Sequence, residues 1–185
     1  MSFPIVGIGA SAGGLESISA LLAGIPASTG MAYVFVQHLD PGHASHLAKI
    51  LSNRAALPVE EAREGEIFPD HLYVIIPNIT LTITSHGLHL RRRDLAERPH
   101  RPIDVLFLSL AEERGPNVIG VILSGSGVRR SKRYSSNQRD RWDYFRGGRK
   151  FCLLFWDAKQ CHSDGMRGFY FKPLRHCART KRHQP

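Results

Sequence analysis

The first 127 residues contain neither cysteine nor tryptophan. All three cysteines (Cys152, Cys161 and Cys177) follow that point, and they are too few and too confined to form a disulfide framework. No apolar run reaches the ~18 residues that a membrane span needs. The start of the chain lacks the basic segment and cleavage pattern of a signal peptide. We therefore expect a cytoplasmic protein without membrane insertion.

Basic residues are also scarce before residue 128. Residues 1–127 carry 9 Lys+Arg and 12 Asp+Glu, whereas residues 128–185 carry 16 and 4. The formal net charge is therefore −3 in the first part and +12 in the second. Two compositions meet near Gly127, so we expect a domain over residues 1–127 and a separate basic tail over residues 128–185.

The basic tail raises the question of nucleic-acid binding, because its Arg and Lys residues alternate with Tyr, Trp and Phe. It contains no recognisable binding module and no amphipathic helix. We therefore expect no nucleic-acid partner.

Short apolar runs bounded by glycine or polar residues predict the buried strands of a sheet. In chain order these runs are "PIVGIGA", "MAYVFVQH", "HLYVIIP" and "NVIGVILSGSG". The segment "LTITSHGLHL" predicts a hairpin that turns around Ser85–Gly87. After residue 127 only "FCLLFWDAK" has the pattern of a strand.

Helical spacing of apolar residues predicts three helices between these strands. The first begins at Ser11 and ends at Gly24, the second places its apolar residues on one face, and the third begins at Pro102. Their apolar residues are Leu15, Ile18, Leu21 and Leu22; Leu47, Ile50 and Leu51; and Ile103, Leu106, Phe107 and Leu110. Alternating strands and helices predict an α/β fold with a doubly wound, mostly parallel sheet in three α/β/α layers.

The first turn of the chain, "VGIGASAGGLES", matches two motifs. Residues 9–13 read G-x-S-x-G, the nucleophile elbow, in which Ser11 would expose its hydroxyl on a tight strand-to-helix turn. Gly7, Gly9 and Ala12 also fit the dinucleotide fingerprint G-x-G-x-x-G/A. Either motif alone is weak support for a function.

The end of the second strand favours the serine interpretation. A dinucleotide site needs an acidic residue there to hold the ribose, but the strand ends at His38, and Asp40 falls beyond it. A histidine at this edge suits a general base beside Ser11. A structural histidine that only ends the strand is the alternative. An α/β-hydrolase proper does not fit, because its elbow follows several strands.

Five segments together resemble the catalytic domain of the CheB family, the chemotaxis protein-glutamate methylesterases. The segments follow one another in the family's order from residue 4 to about residue 127. Their sequences are most similar to family members that are fused to a CheR methyltransferase. In those members the esterase domain comes first, so we expect no receiver domain here. The segments are "IVGIGASAGGLESISALLAGIP", "YVFVQHLDPGHASHLAKIL", "EAREGEIFPDHLYVIIPN", "RPIDVLFLSLAEERG" and "VIGVILSGSG".

The resemblance implies hydrolysis of glutamyl methyl esters on methyl-accepting chemotaxis receptors, without cofactor or metal. It makes Ser11 the nucleophile and His38 its base, and it implies a CheR-type methyltransferase as a second partner. The oxyanion loop residues would be Ala12, Gly13 and Ser126. The family's third triad member is the aspartate of S/T-G-x-G-x-D-G, and this chain has Arg129 at that position.

The departure after Gly127 predicts a sheet truncated at its C-terminal end. The abrupt loss of resemblance, together with sudden enrichment in Cys, Trp and Arg, favours a shifted reading frame over a genuine basic appendage. Without the aspartate, we expect esterase activity to be weak or absent. A binding module for receptor or methyltransferase, without turnover, is the alternative function.

Three further groups have simpler interpretations. His38, His43 and His46 could bind a metal but fit the start of a helix, and the other candidate metal group lies in the tail. Residues 91–93 are three arginines, which we interpret as a solvated hairpin end, with docking to an acidic receptor surface as the alternative. By resemblance, residues 100–102 lie near the site. The metal candidates in the tail are Cys161, His162, His176 and Cys177.

Overall fold

A computed structural model gives the fold, and it describes six stretches of the chain. For the last stretch it describes the backbone. The stretches are residues 3–10, 14–37, 46–94, 101–114, 117–123 and 152–156.

Strands and helices alternate along the first half of the described chain. The predicted strands and helices are present. The elements are β1 (Ile5–Ala10), α1 (Leu15–Ala23), β2 (Ala32–Gln37), α2 (Leu47–Ser52), β3 (Val59–Glu61), β4 (Leu72–Val74), β5 (Ile79–Thr84), β6 (Gly87–Arg92), α3 (Pro102–Arg114), β7 (Val118–Leu123) and β8 (Cys152–Trp156).

Six strands form one sheet in the order β3-β4-β2-β1-β7-β8. Every pairing in it is parallel, with β1 at the centre between β2 and β7. Parallel strands require crossovers, and the intervening helices provide several of them. The predicted mostly parallel α/β sheet is confirmed.

Each face of the sheet is covered by its own layer. Side chains alternate along β1, so Val6 and Ile8 pack in a core with α1 and α2, whereas Ile5 packs in a second core with α3 and the β5–β6 hairpin. Both β1 faces are therefore buried, which explains why its sequence is apolar at nearly every position. The three-layer arrangement is confirmed.

Helix α2 differs from its predicted pattern at one residue. Leu47 and Leu51 are buried one turn apart, but Ile50 is 44% exposed. The helix has only six residues, and it contacts the sheet along a narrow stripe that contains Leu47 and Leu51. Ile50 lies 100° from Leu51 around the helix axis and therefore falls outside this stripe. The expectation that all three share the buried face is wrong for Ile50.

Strand β3 was not predicted from its sequence. Its three residues have no strong strand pattern, and Glu60 and Glu61 are exposed. The segment is extended because it pairs with β4 at the edge of the sheet. A short charged edge strand is common in natural sheets, since it discourages pairing with other chains.

The hairpin turns where the sequence predicted, between Thr84 and Gly87. Gly87 has φ +125, and a Cβ there would lie 2.0 Å from the carbonyl oxygen of Gly65. Gly65 and Leu88 exchange backbone hydrogen bonds across this contact, at 3.0 and 2.8 Å. Glycine at residue 87 therefore permits both the turn and the close approach of the two backbones.

The predicted strand in the tail is confirmed as β8, which pairs in parallel with β7 at the edge of the sheet. The rest of residues 128–185, and with it the predicted truncation and change of reading frame, lies outside the described residues.

Candidate active site

Three neighbouring strands end at the same level at the carboxyl edge of the sheet. Ala10, the last residue of β1, stands opposite Gln37 at the end of β2 and opposite Leu123 at the end of β7. In open α/β sheets the functional site lies at this edge, in a crevice outside the strand ends. The chain leaves the sheet at three adjacent points here.

The predicted site residues follow these strand ends in the sequence and lie outside the described residues. Ser11 follows β1, His38 follows β2, and the glycine loop that includes Ser126 follows β7. Ala12, Gly13 and Arg129 also fall outside the description. The structure thus brings together the strands that carry the predicted residues, and their roles stay predictions.

Helix α1 begins at this edge. Gly14 precedes its first residue, and the carbonyl of Gly14 accepts a hydrogen bond from the Ile18 N–H at 2.9 Å. Gly14, at the N-cap, makes no side-chain cap hydrogen bond. Unpaired amides at a helix N-terminus carry partial positive charge, which favours an anion or a developing oxyanion nearby.

Helix α3 also directs its N-terminus to the carboxyl edge. A Cβ built at Gly9 would lie 2.5 Å from Cγ2 of Ile103, and one built at Gly7 would lie 2.6 Å from Cδ1 of Leu110. The helix therefore runs antiparallel to β1, with Ile103 beside the end of the strand. Arg101 stands at the start of this helix, so residues 101 and 102 lie at the carboxyl edge, and their closeness to the site residues stays a prediction.

The same contacts explain the two glycines of the first motif. Gly7 and Gly9 lie inside β1, and α3 fills the space beside both of them. In a dinucleotide site the glycines open the turn after the strand and let the pyrophosphate approach the backbone. Here they admit a helix, so the structure removes their support for the dinucleotide interpretation.

Sequence reasoning missed Ile103 as a residue that shapes this edge. The available signal was the pair of glycines within a strand pattern, which marks close approach of another backbone or element. It could not identify which helix approaches, because that depends on how the connection from β4 through α3 to β7 crosses the sheet.

A carboxylate that accepts several hydrogen bonds lies at the opposite edge. Asp70 accepts hydrogen bonds from the N–H of Thr29, from the N–H of Gly30 at 2.8 Å and from the Thr29 hydroxyl at 3.1 Å. These donors, the Thr29 amide first, hold the pKa of Asp70 below its usual value. Because Gly30 lies just before β2, this cluster joins amino ends of strands and has no part in the candidate site.

Among the side chains that the structure describes, no three His, Cys, Asp or Glu residues are grouped to hold a metal ion. Of the first candidate group, His46 is described, and it precedes α2 without a side-chain cap hydrogen bond; the remaining candidates lie outside the description. No helix in the described stretches is long and apolar enough to cross a bilayer.

Comparison with known proteins agrees with this architecture. Residues 6–129 match the family described as CheB methylesterase. A protein-glutamate methylesterase/protein-glutamine glutaminase of Yersinia pestis bv. Antiqua is 38% identical over 128 residues, which cover 66% of this chain and 36% of that protein. A Cupriavidus metallidurans protein of the same description, numbered 2, is 40% identical over 126 residues, covering 66% and 37%.

The fold has a solved counterpart. The crystal structure of the Thermotoga maritima CheB methylesterase catalytic domain superposes with a TM-score of 0.63 at 25% identity, covering 83% of this chain and 93% of that chain. The chain spans little more than a third of the length of the two curated relatives. The family match extends over well over half of the chain and includes β2, β7 and all of β1 after Ile5. This chain therefore belongs to the CheB methylesterase family.

Proposed function

We propose that this chain is a protein-glutamate methylesterase domain that hydrolyses glutamyl methyl esters on chemotaxis receptors. The main support for the proposal is that the adjacent strands β2, β1 and β7 end side by side at the carboxyl edge of the sheet. Ser11 and His38 directly follow two of these strand ends, which are adjacent in the sheet. The names of the relatives support the same substrate class.

In the proposed reaction, the Ser11 hydroxyl oxygen attacks the ester carbonyl carbon while His38 accepts the hydroxyl proton. The C–O bond to methoxide breaks, and His38 donates the proton to the leaving group, which departs as methanol. Water then attacks the acyl-serine by the same route and releases the glutamate carboxylate. The amides of Ala12 and Gly13, ahead of α1, would stabilise the oxyanion.

Two substitutions test this assignment. Ser11→Ala is expected to abolish the low methanol release of this form from a methylated receptor fragment. His38→Gln is expected to reduce that release further by about a hundredfold at most, because triad residues act as a unit and the aspartate is already absent. Ser52→Ala and His46→Gln are the matched controls, because both residues are exposed on or beside α2. The assignment is refuted if the paired variants have equal rates.

Arg129 limits the activity that we propose for this form. The aspartate of a Ser-His-Asp triad orients the imidazole and stabilises its protonated form, and its loss lowers the rate by about four orders of magnitude in a serine protease. An arginine adds positive charge and disfavours protonation of the histidine. Arg129→Asp is expected to raise methanol release, with Arg130→Asp as the control for charge alone; equal effects would contradict the role of this position.

A shifted reading frame after Gly127 is part of the proposal. The family match ends at residue 129, close to the change in composition. Resequencing the coding DNA across codons 120 to 185 tests it. A single-base insertion or deletion that restores an aspartate near residue 129 is expected, and an intact frame refutes the shift.

Arg129 also favours one second candidate, a domain that binds receptor or a CheR-type methyltransferase without turnover. The sequence similarity to methyltransferase-fused family members supports the methyltransferase as a partner. A pulldown with a methylated receptor fragment separates the two functions, since a binding module retains the fragment without releasing methanol, and Ser11→Ala leaves its binding unchanged.

A further inference from the structure

Positive charge in residues 1–127 is concentrated in one short segment. Residues 91–101 contain five of the nine basic residues and two of the twelve acidic ones. The net charge of this segment is therefore +3, whereas the other residues up to residue 127 sum to −6. A local reversal of sign on an acidic domain points to a partner of negative charge.

The β5–β6 hairpin brings part of this segment to the carboxyl edge. The chain leaves the carboxyl end of β3 at Ala62 and descends to the amino end of β4. Early in this descent the Glu64 carboxylate accepts the N–H of Leu90 at 2.6 Å, and one residue later Gly65 pairs with Leu88. Strand β6 therefore rises toward the carboxyl edge as it approaches Arg92.

A backbone hydrogen bond fixes the end of β6. The N–H of Arg93 donates to the carbonyl of Asn78 at 2.8 Å. The N–H of Ile75 donates a hydrogen bond to the carbonyl of Phe35 in β2 at 3.0 Å. Asn78 follows Ile75 by three residues, so it lies within about 11 Å of it even if the chain between them is fully extended. Phe35 is itself two residues before the carboxyl end of β2.

The start of α3 adds a further arginine at the same edge. Arg101 directly precedes the helix whose Ile103 lies against Gly9. We call Arg92 and Arg101 the basic rim, and both are exposed. The acidic residues on the same described segments are Asp94 and Asp104, and Arg93 is only half-exposed.

We propose that the basic rim binds free glutamate carboxylates on the protein segment that carries the methyl ester, an inference that rests on the proposed function. Hydrolysis of each methyl ester leaves a free glutamate carboxylate, so a segment that carries several such sites gains negative charge as the reaction proceeds. Arginine suits this role because its guanidinium can donate two parallel hydrogen bonds to one carboxylate. The rim would align the segment along the carboxyl edge.

Protein is favoured over single-stranded nucleic acid as the partner. Binding of single strands combines basic residues with aromatic rings on which the bases stack. Residues 87–94 and 101–104, which present the rim, contain no Phe, Tyr or Trp. Carboxylates need only the arginines.

Binding of a glutamate-rich helical peptide to the full-length protein, measured by fluorescence anisotropy at low and high salt, tests the rim. The test pair is Arg92→Glu with Arg101→Glu, and the control pair is Lys49→Glu with Arg54→Glu. Lys49 and Arg54 are exposed on or beside α2, across the sheet from the rim, and the total change of charge is the same. The basic tail is present in every variant and contributes equally.

The test pair is expected to bind the peptide roughly three- to thirtyfold more weakly at low salt, and the control pair within about twofold of the original protein. A glutamine-substituted peptide is expected to bind weakly to all of them. The neutral pair Arg92→Gln with Arg101→Gln is expected to fall between, and it keeps the test informative if charge reversal prevents folding.

Equal weakening by the test and control pairs would overturn the proposal, because total charge would then account for binding. An equal loss of binding to a single-stranded oligonucleotide would also overturn it, in favour of a general polyanion site. The peptide carries no ester, so failure of Ser11 to release methanol leaves this result unaffected and separates the two hypotheses.

Discussion

Replacing Gly7 by alanine tests the direct packing of α3 on β1, the contact that places the helix start at the candidate site. The new Cβ would lie 2.6 Å from Cδ1 of Leu110 and 2.8 Å from Cε1 of Phe107. Both side chains are fully buried in the core on this face, so neither has free space to move into. The strand or the helix must therefore shift.

The size of the effect follows from two opposing contributions. Overpacking a close-packed core costs about 1–3 kcal/mol, and this site lies at the upper end because two buried side chains oppose the methyl group. Replacing glycine by alanine also restricts the unfolded chain, which returns about 0.4–1 kcal/mol. We expect a net loss of about 2 kcal/mol, which moves the urea midpoint down by about 1 M at an unchanged slope.

Gly9→Ala and Gly24→Ala extend this result. At Gly9 the new Cβ would lie 2.5 Å from Cγ2 of Ile103, a β-branched helical residue with one strongly preferred χ1 rotamer, so we expect a similar loss of about 2 kcal/mol. Gly24 ends α1 with φ −97, which alanine adopts without strain, so stability is expected to stay constant or rise slightly.

A double-mutant cycle locates the clash. Leu110→Ala removes the Cδ1 atom and costs about 2–5 kcal/mol by itself, but in that background Gly7→Ala is expected to cost less than in the original protein. If Gly7→Ala unfolds at the same urea concentration as Gly24→Ala, the inferred approach of α3 to β1 is incorrect.

Two further predictions concern hydrogen bonds away from the site. Ser109→Ala removes the acceptor of the Ile83 N–H at 2.9 Å, which joins the hairpin to α3, and is expected to cost about 1–3 kcal/mol in urea unfolding; no change would mean that water replaces the hydroxyl. Asp70→Asn keeps the side-chain oxygen but removes the negative charge. Hydrogen bonds to that charge, the one from the Thr29 amide first, hold the pKa of Asp70 below its usual value. A carboxyl pKa that is lower in the folded than in the unfolded protein stabilises the fold at pH values above the unfolded-state pKa. The variant is therefore expected to melt at a lower temperature than the original protein at neutral pH, and this difference should disappear as the pH falls through the folded-state pKa. A difference in melting temperature that stays constant from neutral to acid pH would contradict the electrostatic cause.

The central strands and the long helix could be predicted because local pattern and tertiary role coincide there. Both faces of β1 are buried, so its residues are apolar throughout, and α3 begins at a proline and repeats Leu106, Phe107 and Leu110 on its buried face. The exposure of Ile50 and the strand β3 could not be predicted, because tertiary contacts decide both of them. The exposure of Ile50 depends on the narrow contact between α2 and the sheet, and β3 is extended only because β4 lies beside it.

The candidate site divides in the same way. The sequence by itself determined which residue types stand after each strand: Ser11, His38 and, after β7, a glycine loop with Arg129 at the aspartate position. Only the tertiary structure decided that these strands are neighbours whose ends share one level, and that Gly7 and Gly9 admit a helix rather than a phosphate. The physical reason is that the chemistry of a side chain depends only on its own residue type. Strand order and the approach of α3 depend instead on how distant segments cross over and bury both faces of the sheet.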